Sequence, residues 1–588
     1  MTKLHNHFVP DVYTQPAQNG YRVMDPVFRA GLTDSFGQQL KLTWWMLVGD
    51  VYAKSDNTDV PIPNLMPMYL MRKYHGPALR GFGDEFSLHY HTFLWSDYNG
   101  DGTSVWNEAR TFHECRADFD LALAESLLEE ETFPASFRSG WHYMDNEWQS
   151  YLNTLLPYSL HNASPTVRAD NVEPYDNVYD WSQAPLAFVP FHPATTNYQV
   201  PGDGLGWNVR SIKFPNVTQT IMNQMFAAAS KGTDQVACLW AHLPESDFIA
   251  NVVQMDTYAH VAAGKYPTVS FRYCTATEAM QRWRGLTNPP SLQLTVGENW
   301  NGEQLTLTLQ TSGPIFQAQP FVAVKDVCEE YRVLPCLAVG SNSWTVPVPV
   351  PRGRIVKLGI AVTDRAGNPT TRLLRYLPDD LFIDNLDPQF SSSGANWLGT
   401  NAPSQWGTNI MVATLRSNDV AQARWIVPVS NSGPYKIFGR VPLIANAASN
   451  FSFAAYSGGS NALTAFFPQA WPTNTWVPIG TAFLDATKTN YVEMAVAGGN
   501  QAGALAVADV IKVSPLLPGP TFVSDLQVDP ADTTASIRWR TAAPATTLVQ
   551  YGTNLSLGIF SATNLALVKD HVMTLAPLSP NKIGRAHV

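Results

Sequence analysis

Along the first half of the chain the apolar positions switch between two spacings. KLTWWMLVG (41–49) is a short continuous apolar run that predicts a buried strand. EARTFHECRADFDLALAESLLEEE (108–131) carries Phe119, Leu121, Leu123, Leu127 and Leu128 at helical spacing. FPASFRSGW (133–141) reads as a strand, and DNEWQSYLNTLLPY (145–158) as a helix opened by good N-cap residues. VTQTIMNQMFAAAS (217–230) predicts a helix, QVACLWAHLPE (235–245) a strand, and ESDFIANVVQMDTYAHVAAG (245–264) a helix. TVSFRYCTATEAMQRW (268–283) predicts a strand followed by a helix. Strands separated by helices of this length imply parallel β-α units. About seven strands are expected, which favours a closed or nearly closed barrel over an open sheet.

After residue 286 the long helical patterns stop. LQLTVGENWNGEQLTLTLQT (292–311) alternates apolar and polar residues with period two, so 287–380 is expected to be a β-sandwich. FIDNLDPQFSSSGANW opens a second β domain, taken as 381–515. PLLPGP (515–520) then reads as a linker, and 521–588 as a third, incomplete sandwich. The expected fold is therefore multidomain: an α/β barrel over 1–286 followed by three all-β sandwiches.

Composition narrows the function. The net charge is −10 with no Lys/Arg-rich block, so the electrostatic footprint of a nucleic-acid binder is missing. No apolar run reaches the length needed to span a bilayer. MTKLHNHFVP lacks the basic-then-apolar pattern of a signal peptide, so either the protein is cytoplasmic or its true N-terminus lies upstream. The five cysteines form no zinc pattern. Cys328 and Cys336 are close enough to pair in a secreted protein, and buried thiols fit equally well. Aromatic residues make up 12% of the chain, which suits packed β domains and also sugar stacking.

The chemistry-bearing residues concentrate early, since only His571 and His587 lie beyond residue 260. In GDEFSLHYH (83–91), His89 and His91 fall on one face of a strand while Tyr90 points away. Two such imidazoles can bind a divalent metal, with a carboxylate completing a site open to water. His5 and His7 form a second same-face pair. Further on, DYNGDGTSVWNE (97–108) fits a calcium loop position for position. Asp97, Asn99, Asp101, Thr103 and Glu108 are its candidate ligands. The alternative is an Asp/Asn/Gly turn leading into the next helix.

Several of these stretches resemble the motifs of the polysaccharide deacetylase superfamily (carbohydrate esterase family four). Gly83, Glu85 and His89 match its G-x-E-x-x-x-H segment, with His91 standing in for a second histidine that would otherwise fall at Phe93. KLTWWMLVG is similar to its second strand. FRSGW, with Arg138 and Gly140, is similar to R-x-P-x-G without the proline. Asp180 and Trp181 loosely match its fourth motif, and LWAHLPE its fifth. The resemblance implies a seven-stranded β/α barrel holding a divalent metal, with zinc the expected ion. His89, His91 and Asp11 would bind it, Asp11 would also serve as base, His242 as general acid and Arg138 as clamp. The family's adjacent Asp-Asp pair has no counterpart here, so a degenerate, non-catalytic glycan binder stands as the alternative. The His5/His7 pair also resembles the amidohydrolase barrels.

FIDNLDPQFSSSGANW (382–397), GPYKIFGRVPL (433–443), TWVPIGTAFL (475–484) and LAVADVIKV (505–513) resemble the golvesin-type, or xanthan-lyase carbohydrate-binding-like, domain. The segment 521–588 resembles a fibronectin type III domain. Its closing KIGRAHV departs from that pattern, and its back-translation can contain a sequencing-adapter string, so it is expected to be foreign to the domain. Together these resemblances imply a secreted or cell-surface bacterial protein. Its partner would be a polysaccharide and its reaction metal-dependent deacetylation.

Overall fold

The computed structural model describes the chain except residues 1–9, 53–59, 98–99, 102–104, 169–177, 287–289, 403–404, 443, 468–475, 517–522, 531–532, 553–558, 562, 579–584 and 588. The N-terminal α/β region is built on a six-stranded sheet in sequential order. Its strands are β1 (Thr43–Val48), β2 (Glu85–Tyr90), β3 (Ser136–Ser139), β4 (Tyr158–Asn162), β5 (Trp207–Lys213) and β6 (Cys238–Trp240). Every neighbouring pair is parallel. The helices are α1 (Met66–Phe82), α2 (Phe112–Glu130), α3 (Asn146–Leu152), α4 (Gln219–Ala229), α5 (Phe248–Lys265) and α6 (Ala276–Trp283).

The sheet is a half-barrel with one strand fewer than expected. Residues 268–275, expected to supply the seventh, pair with neither β6 nor β1. Just beyond the segment, Ala276 N donates to Thr43 Oγ1 of β1 at 2.7 Å. Thr275 is by then the N-cap of α6, its hydroxyl accepting from Glu278 N. Starting a helix there removes the extended backbone that a closing strand needs.

Local signals explain the other elements. α1 carries Pro67 in its first turn and ends at Gly83, whose φ of 67° is the left-handed conformation that favours glycine at a helix end. Asp145 caps α3 by accepting from Trp148 N, and Thr218 caps α4 by accepting from Ile221 N. α2 is buried on nearly every side from Ala122 to Leu128 because it is covered twice. Phe119 and Leu123 belong to the core under the parallel sheet, while Leu127 lies against Gly359 of the next domain. A Cβ at Gly359 would come within 2.8 Å of Leu127, so the close approach requires glycine.

That next domain is a sandwich of two four-stranded antiparallel sheets between Leu294 and Arg375. Its inner faces are Leu305, Leu307, Leu309, Val322, Val324, Val346, Leu358 and Ile360. It is clamped to α2 by buried charges: Lys357 Nζ pairs with Glu129 and Asp379, each at 2.7 Å, and Lys325 with the same two carboxylates at 3.1 Å. Cys328 and Cys336 are not joined in a disulfide. The Cys336 thiol lies on Pro320 O.

Residues 381–515 form a further sandwich around Trp425, Ile437, Phe453, Val492 and Met494. Beyond it, Val523–Pro530, Ala535–Thr547 and Asn564–Leu575 make a three-stranded sheet with Trp539 and Ile537 in its core. Arg585–His587, within the segment expected to be foreign, pairs antiparallel with Gln550–Gly552.

Candidate functional site

β2 and β3 run side by side, with His89 opposite Arg138 in the register. The alternation of β2 sends Tyr90 to the opposite face, where its hydroxyl donates to Asp118 at 2.6 Å. His89 and His91 meet on the near face with their Nε2 atoms 3.1 Å apart and their rings edge to face. Room for the His91 ring comes from Gly140, where a Cβ would fall 2.3 Å from His91 Cγ. The chain then turns through Trp141 and His142, both at positive φ (47° and 60°), a conformation non-glycine residues adopt at a cost.

The network fixes the tautomers. His89 Nδ1–H donates to Arg138 O at 2.7 Å, leaving its Nε2 to accept from His91. His142 Nδ1–H donates to His161 O at 3.0 Å, leaving its Nε2 to accept from Arg138 Nη2 at 3.1 Å. His161 Nε2–H points to Gln149 Oε1 at 3.4 Å. Burial holds all four imidazoles below the ordinary histidine range, His91 and His161 at about 3 and His89 and His142 well below it. They are neutral at physiological pH. The Arg138 guanidinium lies over the Trp240 ring, 3.7 Å from its centroid, and burial lowers its pKa to about 10. It keeps its charge at neutral pH.

His89, His91 and Arg138 line a cavity of about 560 Å³ that runs along the strands between β1 and β6, from Lys41 and Val236 to Trp141, Trp240 and His242. His242 follows β6 and is half-exposed. Its Nδ1 contacts Glu245 Oε1 at 2.8 Å, and Lys213 pairs with the same carboxylate. The structure thus brings His89, His91, Arg138 and His242 around one space.

Asp11 is not brought with them. It lies in the turn Asp11–Thr14, and among the described residues no three His, Cys, Asp or Glu side chains group so as to hold a metal. Catalytic zinc takes three protein ligands and an open position. Two imidazoles beside a charged guanidinium and without a carboxylate do not fit that ion. His5 and His7 lie outside the described residues.

Of the expected calcium ligands, Asn99 and Thr103 lie outside the described residues. Asp97 Oδ1 accepts from Gly100 N at 2.8 Å and from Asp101 N at 3.2 Å, a side-chain-closed turn. Phe93–Ser96 and Val105–Glu108 form a hairpin in which Ser96 faces Val105 and Phe93 faces Glu108. Glu108 therefore stands at the far end of the ladder from Asp97. It is buried, accepts from the Thr92 hydroxyl, and is held well above the usual carboxylate range by burial. The sequence motif assumes twelve residues wrapped around a point, whereas pairing of the loop's second half into a strand carries its last carboxylate away.

His161 and Trp240 were not singled out by the sequence pattern. Each sits at the carboxyl end of a strand, the position where parallel β-α folds collect functional groups. Trp181, from the loosely matched fourth motif, is fully buried and its indole N–H donates to His142 O at 2.8 Å, so it supports the network from behind.

Residues 381–515 match the Golvesin C-terminal domain. The match has the boundaries expected from the sequence. No curated protein matches the chain. Among solved structures, the Podospora anserina GH26-CBM35 β-(1,4)-mannanase aligns at 17% identity over 26% of this chain and 30% of its own, with a TM-score of 0.19. Paenibacillus xanthan lyase aligns at 15% identity over 38% of this chain and 25% of its own, with a TM-score of 0.23. CBM35 from Cellvibrio japonicus Abf62 aligns at 21% identity over 23% of this chain and 94% of its own, with a TM-score of 0.17. The chain thus spans less than a third of the length of the mannanase and of the lyase.

Proposed function

We propose that the chain is a carbohydrate-active protein, secreted or held at the cell surface, that binds polysaccharide in the cavity of its N-terminal half-barrel. The observation that carries this reading is the cavity itself, walled by Trp45, Trp141 and Trp240 and edged with imidazoles and a guanidinium at the strand ends. Aromatic faces of this kind stack on pyranose rings, and the polar edge sets orientation. The golvesin-type module supports the reading as a second glycan contact. None of the described helices is long and apolar enough to cross a membrane. The working division remains 1–286, 287–380, 381–515 and 521–588.

Metal-dependent deacetylation on a deacetylase-like barrel is the second reading, favoured by the His89–His91 pair with its two ring nitrogens 3.1 Å apart. In it His242 is the acid and Arg138 the clamp, while Asp11, which stands apart from the cavity lining, does not supply the base or third ligand, and no zinc or calcium is assigned. Affinity electrophoresis of the whole chain in a panel of polysaccharides, run beside acetate release and elemental analysis, separates the two. Retarded migration without metal or acetate supports binding. Stoichiometric metal lost in a His89→Ala/His91→Ala double variant, together with acetate release, supports the enzyme. Neither retardation nor release contradicts both readings and leaves a surface spacer.

A further inference from the structure

The charges around the cavity do not balance. The protein carries 48 Asp and Glu against 38 Lys and Arg, yet no acidic residue among the described residues lines this space. Lys41, which lines it, is neutralised by Glu278 at 2.8 Å, and Lys213 and His242 at its rim share Glu245. Arg138 has no such partner among the described residues. Only 4% of it is exposed, its Nη2 rests on a neutral imidazole, and its Nε–H has no acceptor. The indole N–H of Trp240, stacked against it, has none either. Both unsatisfied groups are donors, and one belongs to a buried cation. A buried charge without a counter-charge is costly, and such an arrangement persists where something supplies the missing partner.

We infer that the cavity takes a sugar bearing a carboxylate, a uronic-acid unit, with the carboxylate seated against Arg138. This rests on the carbohydrate reading above and deepens it. A neutral sugar brings hydroxyls that both donate and accept, and no charge. A carboxylate is acceptor-only and matches the planar guanidinium edge. The tryptophans meet the apolar face of the ring, and a cavity of about 560 Å³ holds a ring of this size.

The test is a thermal-shift and calorimetric titration of the whole chain with D-glucuronate, D-galacturonate and D-mannuronate, each against its neutral parent hexose and against glucose 6-sulfate. At least one uronate is expected to bind tenfold or more tightly than its parent, with the preference weakening as salt is raised. The Arg138→Gln variant is expected to lose that preference while retaining a wild-type circular dichroism spectrum. Arg138→Lys, which keeps the charge and loses the fork, is expected to fall between them and covers the case in which Gln does not fold. Equal binding of uronates and parents, or a preference unchanged in the variants, overturns the inference while leaving the carbohydrate reading standing. A stronger response to glucose 6-sulfate overturns the carboxylate assignment. No response to any sugar overturns the inference and the carbohydrate reading together.

Discussion

The golvesin-type sandwich and the N-terminal half-barrel use buried space in opposite ways. In the sandwich, strand alternation puts Ala421, Ala423 and Trp425 inward on one strand and Val492, Met494 and Val496 inward on its neighbour, where they join one apolar cluster. In the half-barrel, the carboxyl ends of the strands bury His89, Arg138 and His161, with unsatisfied atoms at His91 Nδ1, Arg138 Nε, His161 Nδ1 and Trp240 Nε1. The first arrangement maximises apolar burial. The second gives up stability to hold polar groups in a fixed geometry beside a cavity. Real proteins depart from packing rules in this way at functional sites.

The comparison breaks most readily in the sandwich core. Trp425→Ala removes a side chain that is 2% exposed, and is expected to cost about 3–5 kcal/mol. Chemical denaturation followed by fluorescence should show an early transition for this variant while sugar binding in the cavity survives below it. A transition at the wild-type midpoint would mean that the sandwich core is not packed as described.

Paired and unpaired buried cations give the next contrast. Lys357 is 3% exposed and sits between Glu129 and Asp379. Lys357→Met leaves two half-buried carboxylates sharing Lys325, and is expected to cost about 3 kcal/mol in urea unfolding. Arg138→Met removes a charge that no carboxylate among the described residues balances. Its expected effect in the same assay is within about 1 kcal/mol of zero, or stabilising. Equal losses in the two variants would show that Arg138 has a partner in the folded chain.

pH sharpens the same point. The folded pKa of His161 is depressed to about 3, so below its unfolded value near 6.5 the unfolded state binds the extra proton. Its contribution to stability is complete above pH 6.5 and is lost as pH falls from there towards 3. At pH 5 the loss is about 2 kcal/mol for one such group. Glu125 and Glu130 shift upward, to about 8 and about 7, and work in the opposite direction as pH rises. The informative quantity is therefore the difference between wild type and His161→Gln. Wild type is expected to lose more stability between pH 7.5 and pH 5 than the variant does. Parallel pH profiles would show that His161 is solvated.

The sequence was most legible where one periodicity governed a segment. The helices at Phe112–Glu130, Gln219–Ala229 and Phe248–Lys265 and the first strand follow from apolar spacing alone. The golvesin landmarks located 381–515. The sheet's closure was not legible, because TVSFRYC has strand composition while Thr275 starts a helix at its end. In the site, the convergence of His89 and His91 follows from strand alternation, and the place of Arg138 beside them from strand order. Asp11 could not be placed, since its distance from β2 depends on how the chain enters the fold. His161 carried no motif and Trp240, although inside LWAHLPE, was not singled out; both became visible only when the strand ends were brought together. Of the calcium pattern, Glu108 ends the ladder Val105–Glu108 away from Asp97, while Asn99 and Thr103 lie outside the described residues.

The central claim is that polysaccharide is held in the half-barrel cavity as well as by any appended module. Isothermal titration of the whole chain and of Trp240→Ala with the polysaccharide that most retards the wild type tests it most directly. The account predicts at least tenfold weaker binding in the variant with an unchanged melting temperature. Equal affinity in the two proteins would place binding in the sandwiches and contradict the account.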